Sequence, residues 1–162
     1  RLRERRDDLY IMSQPPQDID LVDDILMPNP IVVIAPLADP LAKKRGILLK
    51  DLSTRRFILR EPGSGTRMVA DQFFRQRRFS PDVRLELGSN EAVKESVAGG
   101  LGLGLISQHA LHGMSKEHGV TVVDVEGFPL PSAWHVVHHT GQQLSPVASA
   151  FKRHLQQSMG AR

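Results

Sequence analysis

Short apolar runs of β type alternate with amphipathic helical stretches along this chain, and that alternation restricts it to layered α/β architecture. Strand-like segments fall near residues 8–12, 31–35, 57–60, 83–87, 102–106 and 120–125, and helical ones near 64–77, 90–98 and 145–157. Pro15-Pro16, Pro28-Asn29-Pro30, Pro36 and Pro40 punctuate the early part. Pro129, Pro131 and the histidine-rich segment from Trp134 to His139 punctuate the late part, so two chain crossings between lobes fit there. The last helix has a legible start, with Ser145 as cap and Pro146 at its first position. Val147, Phe151 and Leu155 recur every four residues and are expected to form its buried face against a sheet.

With 162 residues and 40% hydrophobic content the chain can bury a core of its own. No apolar run approaches the roughly 20 residues of a membrane helix, since the longest, Ile31 to Leu37 and Leu101 to Ile106, are strand-sized. The absence of cysteine excludes disulfides and thiolate chemistry and agrees with a reducing, cytoplasmic setting. A net charge of +3 comes from arginines interspersed with acids, which gives a mixed solvated surface and no polybasic arm. Residues 1–8 read as the tail of a polar helix, and Asp8 to Met12 as a strand needing a sheet. The chain is therefore expected to be N-terminally truncated, with upstream strand and helix partners absent.

The motif with most chemical content is Arg60-Glu61-Pro62-Gly63-Ser64-Gly65-Thr66-Arg67. Phe57-Ile58-Leu59 precedes it as a strand, Pro62 and Gly63 break that strand, and Val69, Ala70, Phe73 and Phe74 share one face of the helix that follows. Ser64 or Thr66 then lies near the helix start, where unpaired backbone N–H groups and partial positive charge favour a phosphate or carboxylate. Taken alone the segment is a turn with an N-cap. It is no phosphate-binding loop, which needs Gly-Lys-Ser or Gly-Lys-Thr, and no dinucleotide fingerprint, because Met68 stands where glycine is required. A second helix start lies at Leu87-Gly88-Ser89-Asn90-Glu91, with Val93 and Val97 pointing inward. Ala98 through Gly104 then carries four glycines into a buried strand ending at Ser107.

In order, Ile11-Met12-Ser13-Gln14-Pro15-Pro16, the Arg60–Arg67 motif, and Gly88-Ser89-Asn90-Glu91-Ala92-Val93-Lys94 followed by residues 99–107 resemble the effector-binding domain of LysR-type transcriptional regulators. The wording is most similar to the branch that regulates carbon-fixation (Calvin cycle, RuBisCO) operons. That resemblance implies two Rossmann-like α/β subdomains joined by two crossing strands, a periplasmic-binding-protein-like (type 2) fold. Residues 1–34 and 135–162 would form subdomain I and residues 35–134 subdomain II. It implies a small anionic effector, such as a phosphorylated metabolite or reduced nicotinamide dinucleotide phosphate, held between the lobes, and no resident cofactor. The matching positions are Ser13, Ser64, Gly65 and Thr66, with Arg60, Arg67 and Asn90 beside them. Gln14 stands where that branch carries arginine, which removes a cation from the neighbourhood. The resemblance further implies a homodimer or homotetramer that contacts DNA through an N-terminal helix-turn-helix absent from this chain.

Two other classes compete. A solute-binding transport protein would show the same alternation, distinguished by a secretory signal upstream. An enzyme would rest on scattered serines and on seven histidines, among them His109, His112, His135, His138 and His139. Adjacent histidines on a strand point to opposite faces, no Gly-x-Ser-x-Gly elbow occurs, and no carboxylate pair stands out. The residues therefore point to recognition without catalysis and without a metal.

Overall fold

The computed structural model describes residues 1–111 and 119–159. The chain divides into two compact units, one built from Arg1–Asn29 and the chain from Ser132 onward, the other from Pro30–Pro131. These boundaries lie before those read from sequence at 34/35 and 134/135. The reason is pairing: the strand from Ile31 hydrogen-bonds wholly within the second unit, and Leu130 exchanges hydrogen bonds with Ile31 at 2.8 and 3.0 Å.

The first unit is a three-stranded antiparallel sheet of β1 (Tyr10–Met12), β2 (Leu21–Pro28) and β8 (Ala133–His139), with β8 in the middle. Tyr10 and Asp23 both sit opposite Val137, which is fully buried. The β2 strand was absent from the sequence reading, because Asp23-Asp24 interrupts its apolar pattern and Pro28-Asn29-Pro30 reads as a turn. Helix α3 (Pro146–Met159) covers this sheet, and the Ser145 hydroxyl caps it by accepting from the Ala148 N–H at 3.2 Å. The expected buried face is corrected: Val147 is 78% exposed and Phe151 49% exposed, Leu155 is half-buried, and Ala148 is the buried apolar residue of the helix. Lys152 turns the helix instead, its ammonium bonding Asp24 of β2 at 2.6 Å and His138 of β8 at 3.2 Å while its stem lies against the sheet.

The second unit is a five-stranded sheet in the order β5-β4-β6-β3-β7. Its strands are β3 (Ile31–Pro36), β4 (Arg56–Arg60), β5 (Asp82–Leu87), β6 (Leu103–Ser107) and β7 (Val120–Val122). β4 runs parallel to β5 and β6, linked through α1 (Gly65–Gln76) and α2 (Asn90–Ala98), whereas β3 is antiparallel to β6 and β7. Unbroken apolar runs such as Ile31–Ala35 follow from this, because both faces of a helix-covered sheet are buried. Ile31, Val33, Phe57, Leu59 and Leu105 face the α1 side with Phe74, and Val32, Ile34, Ile58 and Ile106 face the α2 side with Val93 and Val97. Phe57, Phe74 and Phe79 meet edge-on or tilted, with centroids 5.4–6.0 Å apart, closing the α1 side. The strand expected over 120–125 ends at Val122, and Val125 bridges to Ile47 instead.

Candidate functional site: an open helix start

The β4 strand delivers the chain to the site. After Arg60 a tight turn follows, closed by the Ser64 N–H donating to Glu61 O at 3.1 Å, with Gly63 at φ +91°. Nothing lies within 4 Å of a Cβ built on Gly63, so backbone conformation and not crowding requires glycine there. Ser64 takes an extended conformation, φ −62° and ψ 137°, and its carbonyl accepts the first helical bond from Met68 N–H at 2.9 Å. Its hydroxyl makes no cap bond. The first-turn N–H groups of α1 are thereby left for an outside acceptor, with the Ser64 hydroxyl and the 7% exposed Thr66 alongside.

The start of α2 is different. Ser89 Oγ accepts from Ala92 N–H at 3.1 Å, and Glu91 adds negative charge to the first turn. That helix start is satisfied from within, as is that of α3 by Ser145, so of the three starts recognised in the sequence only that of α1 is open.

The two arginines are both engaged. Arg60 grips Glu61 through Nε and Nη2 at 2.8 and 3.0 Å, and its Nη1 donates to Asn90 Oδ1 at 3.1 Å. The Arg60 hydrogen bond holds the Glu61 carboxyl below the usual carboxylate range. Asn90 thus ties β4 to α2. Arg67 donates through Nε to Asp71 at 2.9 and 3.0 Å, and through Nη1 to Glu86 at 2.6 Å and to the Arg60 carbonyl at 2.9 Å. Burial would lower its pKa, but the bonds to Glu86 and Asp71 outweigh that and raise it. Ser64, Gly65, Thr66, Arg60, Arg67 and Asn90 thus gather around one helix start in the second unit, while Ser13 lies buried just after β1 in the first. Glu61 and Glu86 were missed in the sequence, whereas Asp71 was legible in principle from its i,i+4 spacing to Arg67. A further buried group on α2, Lys94, is 4% exposed and pairs with Glu91 at 2.6 Å.

Among the described histidines, His154 Nε2 lies 3.4 Å from Ser158 Oγ on α3, and those of β8 are tied across the sheet and helix. His135 Nδ1 lies 2.7 Å from Asp23, His138 meets Lys152, and His139 Nε2 lies 2.7 Å from the Leu2 carbonyl. His109 lies in a short 3-10 turn (Gln108–Leu111), and His112 lies outside the described residues. Among the described residues no three His, Asp or Glu side chains converge as a metal cluster. No helix among them is long and apolar enough to cross a membrane.

Residues 1–160 match the family model described as the LysR substrate binding domain. The chain belongs to that family. It is 43% identical over 155 residues to a RuBisCO operon transcriptional regulator from Acidithiobacillus ferrooxidans, covering 96% of this chain and 50% of that protein. The corresponding figures for the transcriptional activator CmpR of Synechocystis are 41% over 155 residues, 96% and 51%. The chain thus spans about half the length of these relatives. Its fold superposes on the Synechocystis CcmR regulatory domain, solved in complex with 2-PG, with TM-score 0.92 and 40% identity over 99% of this chain and 77% of that one. The effector binding domain of QuiR, at 21% identity and TM-score 0.83 over 98% of this chain and 75% of that one, shares the α/β fold, that of the type 2 periplasmic-binding-protein class. The relatives are named as carbon-fixation and related transcriptional regulators, which displaces the transport reading.

Proposed function

We propose that this chain is the effector-sensing domain of a LysR-type regulator of carbon-fixation genes, and that it binds a small phosphorylated anion at the start of α1. The observation that carries the reading is Ser64, whose side chain makes no cap bond and whose neighbouring first-turn N–H groups have no internal acceptor among the described residues, in contrast to the self-capped α2. The complex of the similar CcmR domain with 2-PG makes 2-phosphoglycolate the first ligand to test, with phosphoenolpyruvate and reduced nicotinamide dinucleotide phosphate beside it. In this reading the chain is no enzyme, works in the cytoplasm as a dimer or tetramer, and signals to an attached DNA-binding domain. The ligand shifts promoter binding only insofar as it binds one conformation of the regulator better than another.

The decisive variant is Ser64→Asp. A carboxylate there caps α1 itself and repels phosphate, so the variant keeps or gains thermal stability while losing at least tenfold in 2-phosphoglycolate affinity by calorimetry. Thr66→Phe blocks the same space and supplies an independent check. Wild-type affinity in Ser64→Asp would remove α1 from the site. In the full regulator, a promoter footprint that fails to change with any of the three metabolites would remove the effector reading.

A further inference from the structure

The second unit carries another recess, of about 380 Å³, lined by none of the residues around α1. It arises where β7 stops following β3. The Val123 N–H donates to Val33 O at 3.0 Å, and the next bonds along that edge join Leu130 and Ile31. Between them residues 124–129 swing out to pair with Ile47, Ile47 N–H donating to Asp124 O at 2.9 Å and Glu126 N–H to Ile47 O at 2.8 Å. The gap left beside β3 is walled by Val33, Val122, Phe128 and Pro129.

Two opposite charges share these apolar walls, Arg45 and Asp124. The Asp124 carboxylate is oriented by the Gly46 N–H, which donates to its Oδ2 at 3.1 Å and leaves Oδ1 for a ligand, and the Ile47 N–H bond to Asp124 O keeps the segment after Arg45 beside it. Yet among the described residues no ion pair joins Arg45 to Asp124, and Arg45 has no hydrogen-bond partner. A free anion in the recess would meet Asp124, a free amine would meet Arg45, and a neutral apolar ligand would leave both of these exposed charges unmatched. A ligand bearing an ammonium and a carboxylate on neighbouring atoms, with an apolar arm, satisfies every wall. We infer that this recess binds the zwitterion of an apolar α-amino acid, its carboxylate on Arg45, its ammonium on Asp124 and its side chain against Val122 and Phe128. The volume falls within the roughly 300–1,000 Å³ usual for small-molecule sites, and the Gly46 N–H orients the Asp124 carboxylate before binding, while the Arg45 guanidinium closes on the ligand carboxylate. The site is a second input, separate from the anion at α1 and independent of whether that proposal holds.

The test is a titration of the purified protein with L-phenylalanine and L-leucine, followed by the amide resonances of Gly46 and Asp124. Phenethylamine lacks the carboxylate and 3-phenylpropanoate lacks the ammonium. Both are expected to bind at least tenfold more weakly than phenylalanine. Arg45→Ala, at an exposed position, and Asp124→Asn, which keeps an acceptor for Gly46, each abolish amino-acid binding while leaving 2-phosphoglycolate affinity unchanged. Absence of saturation at millimolar amino acid overturns the inference. So does equal binding of the amine or acid alone, or undiminished binding in both variants.

Discussion

Replacing Gly99, Gly102 and Gly104 one at a time by alanine gives three different outcomes, and the differences follow from what each new Cβ meets. At Gly104, in the middle of β6, the Cβ lies 2.8 Å from Val97 Cγ2, 2.9 Å from Val93 Cγ1 and 3.0 Å from Ile34 Cγ1. All three neighbours are fully buried, so none can swing aside into solvent. Overpacking of this kind costs about 1–3 kcal/mol, offset by about 0.4–1 kcal/mol from the restricted unfolded chain. The net loss is about 1.5 kcal/mol, or a fall of roughly 3–6 °C in Tm at this chain length. At Gly102 the Cβ lies 2.5 Å from the Arg56 carbonyl oxygen, which is backbone, so β4 and β6 must part where Phe57 pairs with Leu103. That loss is the largest of the three, about 3 kcal/mol or more. At Gly99 the nearest atoms are 3.5 Å away and φ is negative, so alanine stabilises by about 0.4–1 kcal/mol. Urea unfolding followed by far-UV circular dichroism is the assay, because the single Trp134 reports on the other unit. Gly104→Ala as stable as the parent, or more damaging than Gly102→Ala, would refute the packing argument.

Three further outcomes are expected. Burial pushes the Asp39 carboxyl up, but the Arg55 guanidinium and the Leu41 N–H more than compensate and leave it below its ordinary value. Its stabilising effect is therefore complete above the unfolded pKa of about 3.9 and fades as pH falls through the lower folded value, so Asp39→Asn differs most from the parent near neutrality and least in acid. Arg67→Ala releases Asp71, Glu86 and the Arg60 carbonyl together and costs about 1–3 kcal/mol in chemical unfolding. Arg67→Lys recovers only part of this, since an ammonium cannot fork between the two carboxylates. Lys94→Met is neutral or stabilising within about 1 kcal/mol, because among the described residues the buried ammonium is repaid by the exposed Glu91 alone; a loss above about 3 kcal/mol would reveal a stronger partner.

The second unit was the more legible in sequence, and the reason is burial. Ile31–Ala35 and Phe57–Leu59 are enclosed on both faces, so their composition alone declares them, and Pro62-Gly63 marks where the chain must turn into α1. In the first unit the signals conflict. β2 carries Asp23-Asp24 because those acids answer His135 and Lys152, neither adjacent in sequence, and α3 buries Ala148 and a lysine stem instead of its larger apolar residues. Around α1, Ser64, Gly65 and Thr66 are readable as a helix start. Whether Ser64 spends its hydroxyl on the cap depends on backbone angles that composition does not encode. The recess beside β3 was invisible, because Val33, Arg45 and Asp124 converge only through strand pairing.

The pairing of the arginines also decides how the site proposed at α1 should attract an anion. In the sequence Arg60 and Arg67 look like two free cations beside the helix start. In the fold they are held by Glu61, Asp71 and Glu86, so the immediate surroundings carry no excess positive charge. Attraction must then come from N–H and O–H donors within hydrogen-bond reach, which act over a few ångströms and are poorly screened, while long-range Coulomb steering is weak. A phosphate, with three oxygens to share among these donors, gains more from such a site than a monocarboxylate of equal size. Raising sodium chloride from about 50 to 500 mM is therefore expected to change 2-phosphoglycolate affinity by less than about threefold, as screening removes attraction and repulsion together. A loss of tenfold or more over that range would mean that one arginine leaves its carboxylate to meet the ligand, and would return Arg60 or Arg67 to the direct binding set.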